Sequence, residues 1–571
     1  MKNKILLCGL VLSTSLLFAQ PYGQTHYPNG ARLYSGQQVN LNSNGFLMGG
    51  IHGQDIVEAE TISITKTDIG GAYNSTSSEF RKQYSLMRTG SNCVPTGVDV
   101  RDYAGVSVIE INPGPNGEWY AMASAYDEGV MFSTLDNTGV PVATSVYKFS
   151  SPATILNKPT LIESPTNPGD FYICGMFDSV MYVIKTDIAG SIFWSGYYHA
   201  GGGMIEPRDM IISAHNNNLI IVGHVTPDPQ YMRFSDGFLL DLDPNSGSVN
   251  IFVDYSSTPC NWFNAIENSY SSTGGSGYIV GGYCDPALNA GGALVMKLAT
   301  NGSIIWNTLL EGTGQGSFTD EVLDVIERHN TSSVSSPTYE YYAVARSVNL
   351  SMPQYDNISV FKLNDIGTPF PGPNEFFYPG TSAAPLTGVK LDHRNPGTTG
   401  FDEGLHIFAN DGDNFYLIEA YFNGHTGCNE FFGPAITEIG PNDIYPWIGT
   451  YGSFTQCSNQ TLVYGDVVYT PNQICSSNSI SSGNNQRTTG IKELNGSGVL
   501  KAYPNPSNGI YTLENSSECS VKIVNALGEV IYSKNFAAGQ NSINIESLPA
   551  GIYTLWSKDS SGFSALQLIK E

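Results

Sequence analysis

The strongest constraint on this chain is a motif that returns seven times between residues 25 and 475: a short strand, a turn, and a glycine about five residues after a fixed anchor position. Three copies read Ile64-Thr65-Lys66-Thr67-Asp68-Ile69-Gly70-Gly71, Phe132-Ser133-Thr134-Leu135-Asp136-Asn137-Thr138-Gly139 and Val183-Ile184-Lys185-Thr186-Asp187-Ile188-Ala189-Gly190. The others are Leu240-Asp241-Leu242-Asp243 with Gly247 one residue late, Val295-Met296-Lys297-Leu298 with Gly302, Val360-Phe361-Lys362-Leu363 with Gly367, and Leu417-Ile418-Glu419-Ala420 with Gly424. The anchors at 66, 134, 185, 241, 297, 362 and 419 lie 68, 51, 56, 56, 65 and 57 residues apart. A period of about 59 residues is the size of one four-stranded propeller blade with generous loops.

Upstream of each anchor runs an apolar strand rich in small residues, as in Phe171-Tyr172-Ile173-Cys174-Gly175, Leu219-Ile220-Ile221-Val222-Gly223, Tyr278-Ile279-Val280-Gly281-Gly282 and Tyr341-Tyr342-Ala343-Val344-Ala345. Unbroken apolar runs suit strands covered on both faces by neighbouring blades, and small residues suit crowding near a central axis. Composition agrees. Charged residues make up only 13%, too few to coat long amphipathic helices, whereas 33 Tyr and 26 Phe favour strands. The expected fold is all-β: a seven-bladed β-propeller over residues 21–475. The run Thr461-Leu462-Val463-Tyr464-Gly465 repeats the inner-strand pattern and leaves an eighth blade open. With seven blades, this last segment would help close the ring against the N-terminal one. A formal net charge of −25 repels phosphate backbones, so no nucleic acid is expected as a partner.

Both termini read as export signals. Residues 1–20 begin with Lys2 and Lys4, run apolar from Ile5 to Leu17 and end in Phe18-Ala19-Gln20, the pattern of a cleaved signal peptide. The run is too short to span a bilayer, and no later segment is apolar for long enough, so no transmembrane segment is expected after its removal. Residues 476–498 are rich in Ser, Asn and Gly and read as a flexible linker. Residues 499–571 return to strand alternation, at a length that suits a small Ig-like antiparallel β-sandwich.

This last segment carries four ordered motifs: Tyr503-Pro504-Asn505-Pro506-Ser507-Asn508-Gly509, Asn525-Ala526-Leu527-Gly528, Leu548-Pro549-Ala550-Gly551-Ile552-Tyr553, and Gln567-Leu568-Ile569-Lys570. In this order and position they resemble the type A C-terminal sorting domain of the type IX secretion system. The resemblance implies a Bacteroidetes-type bacterium, passage through the type IX machinery, and release or attachment at the outer surface of the outer membrane. The body of the chain resembles the propeller-like repeats of secreted proteins from the same bacteria, a likeness that carries no activity with it.

Candidate site residues follow from the blade pattern. Asp55, Asp127, Asp178, Asp236, Asp285, Asp356 and Asp411 are expected in the loops joining second to third strands, one per blade on one rim. Carboxylates there would suit a polyhydroxylated ligand or acid/base work on a glycosidic bond, although Asp before a strand also caps its own turn. Trp262 and Tyr283, with Phe263, Tyr231 and Phe234, lie near the same rim and would stack on sugar rings or fill the gap between blades. Cys260 and Cys284 fall in two loops of one blade and are candidates for a disulfide, as are Cys457 and Cys475 at the closing segment. No spacing of Cys and His suits a metal, so no cofactor is expected. The run Asn410-Asp411-Gly412-Asp413-Asn414 keeps calcium open but is too short for an EF-hand and reads first as a hairpin turn. With neither a His-Glu-x-x-His nor a Gly-x-Ser-x-Gly motif present, the leading expectation is a secreted or cell-surface propeller that binds a glycan or protein without catalysis. The alternative is a polysaccharide hydrolase or lyase using rim carboxylates.

Overall fold

In a computed structural model, the chain is described over residues 22–477 apart from connecting segments between strands, and over residues 501–570 apart from short stretches. The signal segment and residues 478–500, which include all but the first two residues of the expected 476–498 linker, lie outside the described residues. Among those described, no helix is long and apolar enough to cross a membrane. Contacts divide the chain into residues 1–479 and 480–571.

The apolar runs that precede the anchors are the second strands of their sheets. In Leu219–Thr226 all residues but the last are buried, and in Asp170–Phe177 all but the first. A strand covered on both faces cannot stop at one sheet, and each sheet is accordingly sandwiched between two others. Seven antiparallel sheets result among the described residues: blade 1 (31–89), blade 2 (103–148), blade 3 (160–199), blade 4 (204–255), blade 5 (261–310), blade 6 (318–379) and blade 7 (386–421). All seven anchors lie in third strands, from Lys66 in Thr61–Lys66 to Glu419 in Phe415–Tyr421. The first strand of each blade lies beside that of the next, and Leu386–Arg394 of blade 7 meets Ala31–Val39 of blade 1, which closes the ring.

The hydrophobic core is divided among the seven joints. Ala31, Leu33, Phe46 and Met48 of blade 1 pack on Phe408, Phe415 and Leu417 of blade 7, and equivalent clusters fill every other joint. Blade 7 supplies only three strands from its own stretch of chain. Its fourth is Tyr22–Tyr27, paired antiparallel with Phe415–Tyr421, so the two ends of the propeller share one sheet.

No eighth blade forms among the described residues. Leu462–Asp466, which repeats the inner-strand pattern, pairs instead with the outer strand Phe80–Thr89 of blade 1. It belongs to a series of short strands that runs backward round the ring: Phe431–Phe432 on blade 6, Ile444–Tyr445 on blade 4, Gly449–Thr450 on blade 3, Thr455–Cys457 on blade 2, Leu462–Asp466 on blade 1 and Asn472–Ser477 on Tyr22–Tyr27. Cys457 thus lies opposite Val146 on blade 2 and Cys475 opposite Gln24 on blade 7, with blade 1 between those two edges.

The C-terminal unit is a two-sheet sandwich. Lys501–Tyr503, Ile510–Asn515 and Gly539–Asn544 form one sheet; Val530–Phe536, Cys519–Val524, Gly551–Asp559 and Gly562–Lys570 form the other. Tyr511, Leu513, Val521, Ile523, Leu555 and Leu568 fill the space between.

Candidate functional site at the channel mouth

Register shifts interrupt the first strands of six blades, between Leu33 and Ser35, Tyr103 and Val106, Pro207 and Asp209, Phe263 and Ala265, Val322 and Asp324, and Gly388 and Lys390. A bulge re-aims the extra residue and bends the strand. The residues at these positions and at Lys158, just before the short first strand of blade 3, surround the axis: Tyr34, Gly105, Lys158, Arg208 with Asp209, Asn264, Asp324 and Lys390.

These groups also hold the ring together. Asp209 accepts from the backbone N–H of Ile266 at 3.1 Å, Asp324 from Leu391 at 2.7 Å, Asp392 from Gln38 at 2.7 Å, and Ser35 Oγ from Val108 at 3.0 Å. Each bond runs from one blade to the next. Glu267 accepts from Glu327 N–H in the same way at 2.8 Å, while burial pushes its carboxyl well above the usual range.

The charges meet between neighbouring blades. Lys390 of blade 7 pairs with Asp324 of blade 6 at 3.0 Å, with the lysine side chain 42% exposed and the carboxylate 3%. Burial pushes Asp324 up in pKa, only partly offset by Lys390. Lys158 reaches past blade 2 to donate to the Tyr34 carbonyl at 2.7 Å. Gly105 makes that crossing possible: a Cβ on it would stand 2.8 Å from the Tyr34 ring and 2.9 Å from Lys158 Cβ, and its φ of 134° is one only glycine takes readily. Lys158 makes no ion pair among the described residues. Burial, reinforced by the like charges of Lys390 and Arg208, lowers its pKa to about 8 against the attraction of Asp209 and Asp324.

One step towards the rim, blades 4 to 6 assemble a polar and aromatic wall. Glu206 receives Arg208 at 2.9 Å and His224 Nε2 at 3.1 Å. Burial works to raise the Glu206 pKa, but the His224 hydrogen bond and the Arg208 charge outweigh it and hold the carboxyl below its ordinary value. His224 Nδ1 is buried and makes no hydrogen bond. In the neutral ring, with Nε2–H given to Glu206, Nδ1 carries the lone pair. Trp262 stacks on Tyr283 with centroids 4.4 Å apart and faces the His224 ring at 6.4 Å. Its indole N–H donates to Glu321 at 2.9 Å, and Asn264 donates to the same oxygen at 2.8 Å.

Of the residues expected on the rim, Trp262 and Tyr283 come together in this wall, while Phe263 is fully buried between blades 4 and 5. Each described aspartate takes its place at a turn or a strand end. Asp178, at φ 53°, exchanges bonds with Ile155 in a turn. The Asp127 carbonyl accepts from Ala153, Asp236 opens the third strand of blade 4, and Asp411 ends the second strand of blade 7. Asp55, Asp285, Asp356, Tyr231, Phe234 and Cys260 lie outside the described residues. Asn410, in the run with calcium-loop composition, donates instead to the Leu33 carbonyl across the ring closure at 3.0 Å. Among the described residues no group of three or more His, Cys, Asp or Glu is placed to hold a metal. Lys158, Arg208, His224 and Asn264 were not among the expected site residues; for Arg208 and Asn264 the available signal was the run of polar residues within otherwise alternating first strands, as in Glu206-Pro207-Arg208-Asp209.

The first and fourth sorting motifs converge in the C-terminal sandwich, and the second, residues 525–528, lies outside the described residues. Ile569 N–H donates to Asn505 at 2.8 Å, Ser507 N–H to the Ile569 carbonyl at 3.0 Å, and Tyr511 OH to that same carbonyl at 2.7 Å. Gly509, at φ 110°, lies against the Glu546 backbone and Lys570. Tyr553 OH closes the third motif on the Pro549 carbonyl at 2.7 Å. Gly528 lies outside the described residues.

No curated protein matched the sequence. Among solved structures, an apocarotenoid oxygenase variant from Synechocystis is similar at a TM-score of 0.37 and 10% identity, over 77% of this chain and 93% of that one. Residues 501–571 match the model of the secretion system C-terminal sorting domain. The chain thus ends in a type IX secretion sorting domain, which makes it a secreted protein handled by that machinery.

Proposed function

We propose that the exported propeller is a binding module that takes an extracellular ligand, glycan or protein, at the channel mouth, without catalysis. The observation that carries this reading is the convergence, on blades 4 and 5, of the Trp262–Tyr283 stack with a buried His224 Nδ1 that has no hydrogen-bond partner. Aromatic faces beside fixed polar groups are the ordinary make-up of a recognition site. Buried polar atoms in folded proteins are nearly always paired, and a ligand donor would pair this one.

A binding screen of the full secreted chain against oligosaccharides and matrix proteins tests the reading. Saturable binding is expected, with loss of at least ten-fold in affinity on Trp262→Ala and none on Phe193→Ala, whose ring is 57% exposed on the outer strand of blade 3. A blank screen, or depolymerisation of a polysaccharide by the chain, overturns it.

A further inference from the structure

Two groups at the channel mouth lack the partners that their chemistry calls for. Lys158 spans the throat as a cation held by a carbonyl, without an ion pair among the described residues. His224 Nδ1 is a buried acceptor without a donor. Arg208 and Glu206 connect them, since Arg208 lies within electrostatic reach of Lys158 and Glu206 bonds both Arg208 and His224.

Resting on the binding reading above, we propose that the ligand is an acidic saccharide, its carboxylate or sulfate seated on Lys158 and Arg208 at the throat and a hydroxyl donating to His224 Nδ1 beside the Trp262 wall. An oxyanion supplies the counter-charge Lys158 lacks, and Arg208, its side chain 43% exposed, keeps donors beyond those used on Glu206. A sugar hydroxyl is the donor that an imidazole lone pair accepts, and a pyranose ring is the flat apolar face that an indole covers. The other groups facing Lys158 are fixed. Asp324 is held by Lys390 and Leu391 N–H, and Asp209 accepts from Met210 and Ile266 N–H, so neither is free to swing over and neutralise the amine.

The pairing couples binding to protonation. In the free protein the Lys158 amine loses its proton near pH 8, under the combined influence of Lys390, Arg208, Asp209 and Asp324. An anion seated beside it favours the charged form, so affinity for an acidic sugar weakens as pH rises through 8 while affinity for a neutral sugar does not.

The test titrates the full chain with cellotriose, its C6-oxidised form and its C6-sulfated form, at pH 7 and 9.5. The acidic forms are expected to bind about ten-fold or more tightly than cellotriose at pH 7 and to lose about ten-fold by pH 9.5. Whichever acidic form binds more tightly identifies the anion as carboxylate or sulfate. Lys158→Gln is expected to abolish the preference, Lys158→Arg to keep it while removing the pH dependence, and His224→Ala to weaken all three sugars alike. Equal binding of acidic and neutral sugars, a preference that survives Lys158→Gln, or a pH effect that survives Lys158→Arg overturns the proposal but leaves the binding reading standing. Failure of all three sugars to bind overturns the proposal, and the binding reading then stands or falls with the screen of oligosaccharides and matrix proteins.

Discussion

At the scale of single residues, the propeller is latched outside as well as at its axis. The hydroxyl of a fourth-strand tyrosine donates to the carbonyl of the turn glycine in the next blade: Tyr84 to Gly139 at 2.7 Å, Tyr147 to Gly190 at 2.9 Å, Tyr198 to Gly247 at 2.7 Å and Tyr255 to Gly302 at 2.6 Å. Thr308 does the same to Gly367 at 2.7 Å. These glycines have φ between 69° and 82° in blades 4 to 6, so they shape the turn and offer the carbonyl at once. Tyr255→Phe leaves a buried carbonyl unpaired and is expected to cost about 1–2 kcal/mol in a denaturant melt. Gly302→Ala places a Cβ 2.9 Å from Val253 at φ 82° and is expected to cost about 1–3 kcal/mol; a melt unchanged by both substitutions would show that the latch is idle. Lys158 gives a pH signature of its own. Its folded pKa near 8 lies below the value of about 10.4 for an unfolded lysine, so between these values the unfolded chain binds more protons and stability rises with pH. The melting temperature of the wild type relative to Lys158→Met is therefore expected to climb from pH 7 to pH 10. A difference that stays flat would mean that the amine titrates like a free one.

At the scale of elements, the blade was legible because two signals with different causes coincide in every copy. The turn glycine is dictated by backbone conformation, the apolar second strand by burial on both faces, and both survive sequence drift elsewhere. The anchor itself proves to be a buried polar position: Lys66, Thr134, Lys185, Asp241, Lys297 and Glu419 are all under a tenth exposed, and Lys185 pairs with Asp170 at 3.1 Å. The channel site was not legible, because Lys158, Arg208, Asp324 and Lys390 are 50 or more residues apart, and the closing of the ring, with the bulges in blades 4, 6 and 7, brings them to one axis. A period shows that strands repeat, but it does not show which residue a bulge turns inward. Nor did it show how the ring is closed, since Tyr22–Tyr27 belongs to blade 7 by pairing and to the N-terminus by sequence. Removing residues 21–29 leaves Phe415–Tyr421 without one neighbour and exposes the joint between blades 7 and 1. Such a chain is expected to melt at least 5–10 °C lower and to be clipped by protease near blade 7 first, as judged by mass spectrometry of the fragments. Unchanged melting would place the closure elsewhere.

At the scale of the whole molecule, two units serve separate ends, a ring that presents a channel mouth and a sandwich that directs export. Why the sorting motifs lie flush with the C-terminus has a physical answer in the sandwich itself. The Pro504–Gly509 stretch runs between two strands, and its shape depends on bonds to the final residues: Asn505 and Ser507 to Ile569, and a parallel bridge from Ser507 to Lys570. Tyr511 adds a third bond to the Ile569 carbonyl. The first motif is thus built on the last, and neither holds its form without the other. Deleting residues 569–571 removes these bonds while leaving Leu568 in the core, so the sandwich is expected to fold with a loosened first motif. Cell fractionation then separates the roles. The propeller of such a variant is expected to remain protease-resistant inside the cell envelope and to disappear from the medium and the cell surface, whereas Tyr553→Phe, which touches only the bond to Pro549, is expected to reduce export less. Wild-type levels of the truncated chain outside the cell would show that the terminal joint is dispensable and that export reads the sandwich elsewhere.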